Sequence, residues 1–487
     1  MEELCAAIRP HWQKDAVHLP GLNCLDFGLR DLYQLFVMTG QKRVEEAVGL
    51  TFKNQEQVGG YPSLFHAYLH GASVVINHAE ATFPPLLEWC QKLRKHFVPH
   101  AYMNLYLTPA GAQTVRPHSD DRDVILLQCL GRKKWKVMEP VIPFPYSHEQ
   151  VGKDTPLDEN NLPRTVLSCT VEAGDALYMP RGFVHVGEST SDGPSLHLTL
   201  AIATHDWSYA KLLADVAFAA SVQKGSVTVD IGSGSDKLTL PQDDDTQEVE
   251  SMLQTARTTM QGLVLDDCKT SKEIAVKVQA TFDSLPCFKT AVPFSIYFAE
   301  GGPKCPVHIK GLSGKAEPVS MDASSGARIA EAMTTWSLRE AYRERLEKHN
   351  RWHDELLNLW QTNASKSSAS SADSSSTTAS EGTQPGAGPN FRWIMPPRLD
   401  HEVALAKAGR FSFSCRLVDE SETMEILFQD EQGRTLRVLT LPMYLDVMKF
   451  VERQRDSFTV GELPVPDPVG QLCFAAVSLH NGIFIDV

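Results

Sequence analysis

Between residues 101 and 205 the chain breaks into short apolar runs punctuated by Gly and Pro, and this texture limits the fold more than any other feature. The runs are Ala101–Leu107, Asp123–Leu130, Lys134–Glu139, Thr165–Glu172, Asp175–Met179 and Ser195–Ala203. Many short strands at close spacing predict a β-sandwich or barrel. Gly131–Arg132 and Ala173–Gly174 supply the turn chemistry between them.

The flanks are different, so the chain as a whole reads as α+β. Leu29, Leu32, Leu35 and Phe36 recur at helical spacing, and Val44, Val48 and Leu50 do so loosely, while His11 to Pro20 is irregular. Residues 61–98 read as helix, strand, helix, with Pro84 and Pro85 at the start of the last, where missing N–H groups cost least. Residues 206–265 turn helical over Tyr209 to Val222 and Gln247 to Leu263, either for packing or as a dimer surface. A long helix is expected over 336–361. Residues 363–390 are Ser-, Ala-, Gly- and Thr-rich and read as a disordered linker, because nothing there buries enough surface to offset ordering. Residues 393–487 read as three strands, a helix, a strand, a helix and a final strand, which suggests a winged helix.

Charge limits what such a chain handles. The net charge of −14 argues against gripping a phosphate backbone. Residues 393–487 carry nine basic against fourteen acidic residues, net −5, so this winged helix is expected to contact protein rather than nucleic acid. The ten cysteines form no C-x-x-C pair, pointing to a reducing compartment. The acidic opening Met-Glu-Glu lacks the features of a signal peptide, and no apolar stretch is long enough for a membrane span.

The chemistry concentrates in Arg116-Pro-His-Ser-Asp-Asp121. In an extended chain residues i and i+2 share a face, so His118 and Asp120 present an imidazole and a carboxylate to one point while Ser119 turns away. His185, emerging after the Pro180-Arg-Gly turn, is the candidate third ligand. Two histidines and a carboxylate on one face are the donor set of non-haem Fe(II) oxygenases, with three coordination positions left for a keto acid and O2. H-x-D alone also fits a hydrogen-bonded surface turn; the β-rich frame and the second His give it weight. A keto acid's distal carboxylate needs a cation. Lys133 shares a strand face with Trp135, whereas Lys134 takes the other, although the Arg132-Lys-Lys run also reads as a solvated hairpin. His66/His70 and His349/His353 have zinc-compatible i,i+4 spacing without a third ligand, and His197 lines either the pocket or a packed face.

The run Asn104 to Asp121 resembles the metal strand of the JmjC-type ribosomal oxygenases, the nucleolar histidyl hydroxylases and their bacterial arginyl hydroxylase cousin. Leu126 to Val137, Glu172 to His185 and Ser195 to Leu200 resemble the strands that follow, and Ser457 to Pro464 with Asn481 to Phe484 the family's winged helix. The resemblance implies a double-stranded β-helix (cupin or jelly-roll) catalytic domain over 1–205, a helical dimerisation segment over 206–265, a divergent insertion over 266–392 and a winged-helix domain over 393–487. It implies His118, Asp120 and His185 as iron ligands and Lys133 as the contact for the distal carboxylate of 2-oxoglutarate. Asn104 and Tyr106 fall at the pocket wall near co-substrate and substrate. Ala201, also in the substrate pocket, departs from the Ser of relatives. Implied with these are Fe(II), 2-oxoglutarate and O2, hydroxylation of a ribosomal-protein histidine, a homodimer and a nuclear or nucleolar location, otherwise cytoplasmic. Histone lysine demethylation is the rival activity, and a catalytically silent cupin interaction module the rival of another class.

Overall fold

The structure, a computed structural model, describes most of residues 1–207 and 399–486 and a few short pieces between them. In the first part, helices α1 (Glu2–Ile8), α2 (Leu29–Gly40), α3 (Leu64–Leu69) and α4 (Pro84–Leu93) interleave with strands β1 (Val17–Leu19), β2 (Val48–Lys53), β3 (Glu56–Val58) and β4 (Ser73–Asn77). Seven strands follow: β5 (Ala101–Thr108), β6 (Asp123–Leu130), β7 (Arg132–Pro140), β8 (Thr165–Glu172), β9 (Ala176–Met179), β10 (Phe183–Ser189) and β11 (Ser195–Ile202).

These strands make two antiparallel sheets. The larger has the order β1-β9-β6-β11-β5-β4-β2-β3 and the smaller β10-β7-β8. The expected sandwich is present, and its layering follows from the side-chain pattern. On β11, Leu196, Leu198, Leu200 and Ile202 join Leu32, Leu35, Leu69, Leu86 and Leu93 of the helices in one core. The opposite face of the large sheet meets the small sheet through Val124, Leu126, Leu177 and Met179 against Trp135, Val137 and Val171. A central strand between helices and a second sheet is covered on both faces, which is why β6 reads as a nearly continuous apolar run over Val124–Leu127. His197, Thr199 and Ala201 point into the space between the sheets by simple alternation.

Several elements differ from the sequence reading. Val48 and Leu50 lie in β2, paired with β4, rather than on a helix; their helical spacing was coincidental to a Val-Gly-Leu-Thr-Phe run that suits a strand. The irregular stretch before Pro20 contains β1, three residues held by pairing to β9. The strand expected over Lys134–Glu139 starts earlier, at Arg132, so the turn expected at Gly131–Arg132 is confined to Gly131 and the alternative of a solvated Arg-Lys-Lys hairpin does not hold. Its φ of +65° and the Pro194 carbonyl oxygen, 1.9 Å from where a Cβ would stand, leave room only for glycine. The helices expected over 209–222 and 247–263, the linker 363–390, His349 and His353, and most of the helix over 336–361 lie outside the described residues.

The C-terminal part contains β12 (Glu402–Leu405), β13 (Phe411–Leu417), β14 (Met424–Asp430), β15 (Thr435–Thr440), α5 (Leu445–Arg453), β16 (Phe458–Thr459), α6 (Pro468–His480) and β17 (Phe484–Asp486). Strands β13-β14-β15 form a meander, and β12 lies between β16 and β17. This part packs on α3. The Leu441 amide donates to the Leu69 carbonyl (3.0 Å), and the buried Tyr68 hydroxyl donates to Asp467 Oδ1 (3.1 Å). Asp467 also caps α6 through the Gly470 amide (2.6 Å). Asp467→Ala is therefore expected to cost about 2–4 kcal/mol, adding a lost N-cap to an unpaired buried hydroxyl. Urea unfolding followed by circular dichroism measures it; a loss below about 0.5 kcal/mol, the range of ordinary surface substitutions, would contradict the docking.

Candidate metal centre

His118 and Asp120 lie in the extended segment between β5 and β6, outside either ladder, and His185 lies near the start of β10. A pair of backbone hydrogen bonds brings the segments together: the His118 amide donates to the His185 carbonyl (3.1 Å) and the His185 amide to the His118 carbonyl (2.8 Å). The Gly182 amide, in the Pro-Arg-Gly turn, donates to the Asp120 carbonyl (2.9 Å). This bridge sets the two imidazoles side by side, ring centroids 4.5 Å apart. One donor atom from each of His118, Asp120 and His185 falls within 4.8 Å of the others, and among the described residues no other group of three His, Cys, Asp or Glu does so.

The histidines are oriented as metal ligands need. Nδ1 of His118 donates to the Arg116 carbonyl (2.7 Å) and Nδ1 of His185 to that of Phe183 (3.1 Å), leaving both Nε2 lone pairs for the centre. His185 Nε2 stands 3.6 Å from Asp120 Oδ2. Burial, with Lys153 and His185 beside it, pushes His118 down to about 3, and burial likewise lowers His185. Burial opposes ionisation of Asp120, but Lys153 and the two histidines outweigh it and hold the carboxyl below its usual range. Two neutral imidazoles and one carboxylate are thus available near neutral pH.

Behind this cluster is a cavity between the sheets, lined by Tyr106, Thr114, Lys133, Trp135, His197 and Thr199 among others. Lys133 alternates inward with Trp135 while Lys134 and Lys136 face solvent. It is 2% exposed, donates to Thr108 Oγ1 (3.2 Å), lies over the Trp135 ring and has no acidic partner among the described residues. Burial alone pulls its pKa down to about 7. His197, 1% exposed, stacks on Tyr106 and leaves Nδ1 without a hydrogen bond. A buried cation without an anion and an orphaned imidazole nitrogen in one cavity suit a carboxylate ligand.

The other expected residues are placed as follows. Tyr106 lines the cavity, and burial and nearby Asp120 raise its pKa. Asn104, on the same strand face, accepts from the His78 amide (3.1 Å) and hydrogen-bonds the Tyr106 hydroxyl, so it is a neighbour of the lining rather than part of it. Ala201 is buried on the inward face of β11, in register with Tyr102 and Val124, and is also outside the lining. His66 and His70 are occupied locally, their Nδ1 atoms on Ser63 Oγ (2.8 Å) and the Tyr61 hydroxyl (3.0 Å). Two contributors escaped the sequence reading. Thr108 follows Asn104 and Tyr106 by the same period of two and could have been found; Lys153, from a distant loop, had no local signal.

The JmjC domain family matches residues 79–212, a span that holds all three clustered residues and Lys133. Over 151 residues the chain is 37% identical to the bifunctional lysine-specific demethylase and histidyl-hydroxylase NO66 of Dictyostelium discoideum, covering 29% of this chain and 27% of that protein. It is 37% identical over 135 residues to ribosomal oxygenase 1 of Rattus norvegicus, covering 28% of this chain and 22% of that one. The match thus spans about a quarter of the length of these relatives. A solved structure of the Escherichia coli ribosomal oxygenase YcfD, in complex with cobalt and 2-oxoglutarate, aligns over 99% of this chain and 97% of that chain at 14% identity with a TM-score of 0.33. What the comparisons establish for this chain is therefore a match of residues 79–212 to the JmjC domain family and a similarity over about 150 residues to proteins named as ribosomal oxygenases and histidyl-hydroxylases.

Proposed function

We propose that this protein is an Fe(II)- and 2-oxoglutarate-dependent oxygenase that hydroxylates a protein side chain, a histidine of a ribosomal protein being the favoured target. The observation that carries this reading is the convergence of His118, Asp120 and His185 on a cavity that also holds a buried Lys133 with no acidic partner among the described residues. The names of the relatives, histidyl-hydroxylase and ribosomal oxygenase, support the substrate class.

The residues divide the work. His118 and His185 offer Nε2, and Asp120 its Oδ2, to the metal. Lys133, with Thr108 beside it, would receive the distal carboxylate of 2-oxoglutarate in the same cavity as the triad. With O2, the bound iron and keto acid supply the oxidising power to hydroxylate an unactivated C–H bond. Trp135, Met179, Val124 and Leu126 give the cavity an apolar lining that disfavours water, and the stacked rings of Tyr106 and His197 line it as well. In the same reading, residues 206–265 serve dimerisation, the C-terminal part is a winged helix that contacts protein, and the setting is nuclear or nucleolar. Among the described residues no helix is long and apolar enough to cross a membrane.

The test is a panel of ribosomal-protein peptides, each containing His or Arg, incubated with Fe(II), 2-oxoglutarate and ascorbate. The expected result is a mass gain of one oxygen atom on a histidine peptide. Formaldehyde release from methyl-lysine histone peptides, with no oxygen gained by the ribosomal panel, would overturn the substrate assignment in favour of demethylation.

A further inference from the structure

Ser119 stands between the two ligands His118 and Asp120 and is wholly buried. Its amide donates to the Val151 carbonyl (2.8 Å), and its hydroxyl accepts from the Val151 amide (3.0 Å). These bonds fasten the loop 149–155 to the metal-bearing segment. The approach is too close for any side chain at Gly152. Its φ is +80°, and an added Cβ would fall 2.2 Å from the Pro117 carbonyl oxygen and 2.9 Å from His118 Cα. Beyond the glycine the loop turns sharply, the Gln150 carbonyl accepting the amides of Lys153 (3.1 Å), Asp154 (2.9 Å) and Thr155 (3.1 Å).

This turn delivers Lys153 to the centre. Its ammonium donates to Asp120 Oδ1 and to Gln150 Oε1 (3.2 Å). The other carboxylate oxygen, Oδ2, is the one that faces His185 Nε2 at 3.6 Å. The two oxygens of Asp120 are therefore divided, one toward the lysine and one toward the imidazole. A charge-assisted hydrogen bond to one oxygen resists rotation of the carboxylate about its own axis.

We infer that Lys153 is a positioning residue, which reserves Oδ1 of Asp120 so that the carboxylate offers the metal a single oxygen. This rests on reading the triad as an iron site. Three ligand atoms leave three coordination positions, as many as a chelating keto acid and O2 require. A carboxylate free to bind through both oxygens would take one of them. The docked loop, with its obligatory glycine and its bonds to Ser119, holds the lysine where it prevents this.

The experiment compares wild type with Lys153→Met, which keeps the length and loses the charge, and with Lys153→Arg, which restores a donor. Lys153 is 40% exposed, so the folded state tolerates both changes, and thermal unfolding of each variant checks this. Co(II) is loaded, its visible absorption is recorded as a report of coordination number, and 2-oxoglutarate is titrated into the Co(II) protein by calorimetry. The expected result for Lys153→Met is an altered Co(II) spectrum and at least tenfold weaker 2-oxoglutarate binding, as for other partners of metal ligands, with recovery in Lys153→Arg. An unchanged spectrum and unchanged 2-oxoglutarate affinity would overturn the inference and leave a surface ion pair. Tighter Co(II) binding with both properties unchanged would overturn it in favour of a lysine that merely competes with the metal. Wild-type protein that takes up no Co(II) would instead sink the iron reading on which the inference rests.

Discussion

His118→Ala is expected to lose stoichiometric Fe(II) or Mn(II) binding and to reduce succinate formation to background. Partners that only orient metal ligands contribute about 10- to 100-fold in affinity or activity, so removing a ligand outright exceeds that range. The loss also appears in stability. A metal that binds only the folded state stabilises it by about 2.7 kcal/mol at a concentration 100 times the dissociation constant. Wild-type protein should therefore unfold at a higher temperature when Mn(II) is added, and His118→Ala should not respond. The backbone bridge between positions 118 and 185 uses main-chain atoms alone, so it survives the substitution. A metal-induced shift retained in the variant would show that the ion binds elsewhere.

Lys133→Met should weaken 2-oxoglutarate binding about 10- to 100-fold, the value of about 1.5–3 kcal/mol for a hydrogen bond to a charged group. The pH dependence is the more specific signature. Without ligand, burial sets Lys133 at about 7, so above neutral pH it is largely uncharged. The bound carboxylate favours the ammonium, raising its pKa, and binding above pH 7 then takes up a proton. By linkage, affinity falls as pH rises above about 7, by up to tenfold per unit, and levels off below it. In Lys133→Met this slope should vanish. Calorimetric titration of 2-oxoglutarate into the metal-loaded proteins across pH 6–9 measures both effects. A slope unchanged in the variant would remove Lys133 from the co-substrate site.

How far these residues could be read from the sequence depends on how local their placement is. Lys133 and Trp135 were legible because strand alternation decides which side chains face inward, and so was Thr108, although it escaped notice. His118 and Asp120 share a face in an extended chain, and that period survives although the segment belongs to neither ladder. His185 was reached through the turn before it, yet the strand that holds it, β10, was not foreseen: its apolar residues end at Val186, and Gly187, Glu188 and Ser189 follow. Short strands such as β1 and β12 were missed for a related reason. Three or four residues carry little periodicity, and their conformation is set by the strand they pair with. Asn104 shows the limit of face assignment. Alternation places it beside Tyr106, but only the three-dimensional arrangement engages its side chain with His78. Lys153 was beyond reach, because 33 positions separate it from Asp120 and the contact depends on a loop docked through Ser119 and Gly152.

The most direct test of the central claim is succinate formation from 2-oxoglutarate by the purified protein, with and without Fe(II), beside the His118→Ala variant. The account predicts iron-dependent succinate from the wild type, increased by a peptide substrate, and none above background from the variant. Wild-type protein that binds neither iron nor 2-oxoglutarate and forms no succinate would contradict it, and would leave the β-sandwich as an interaction module.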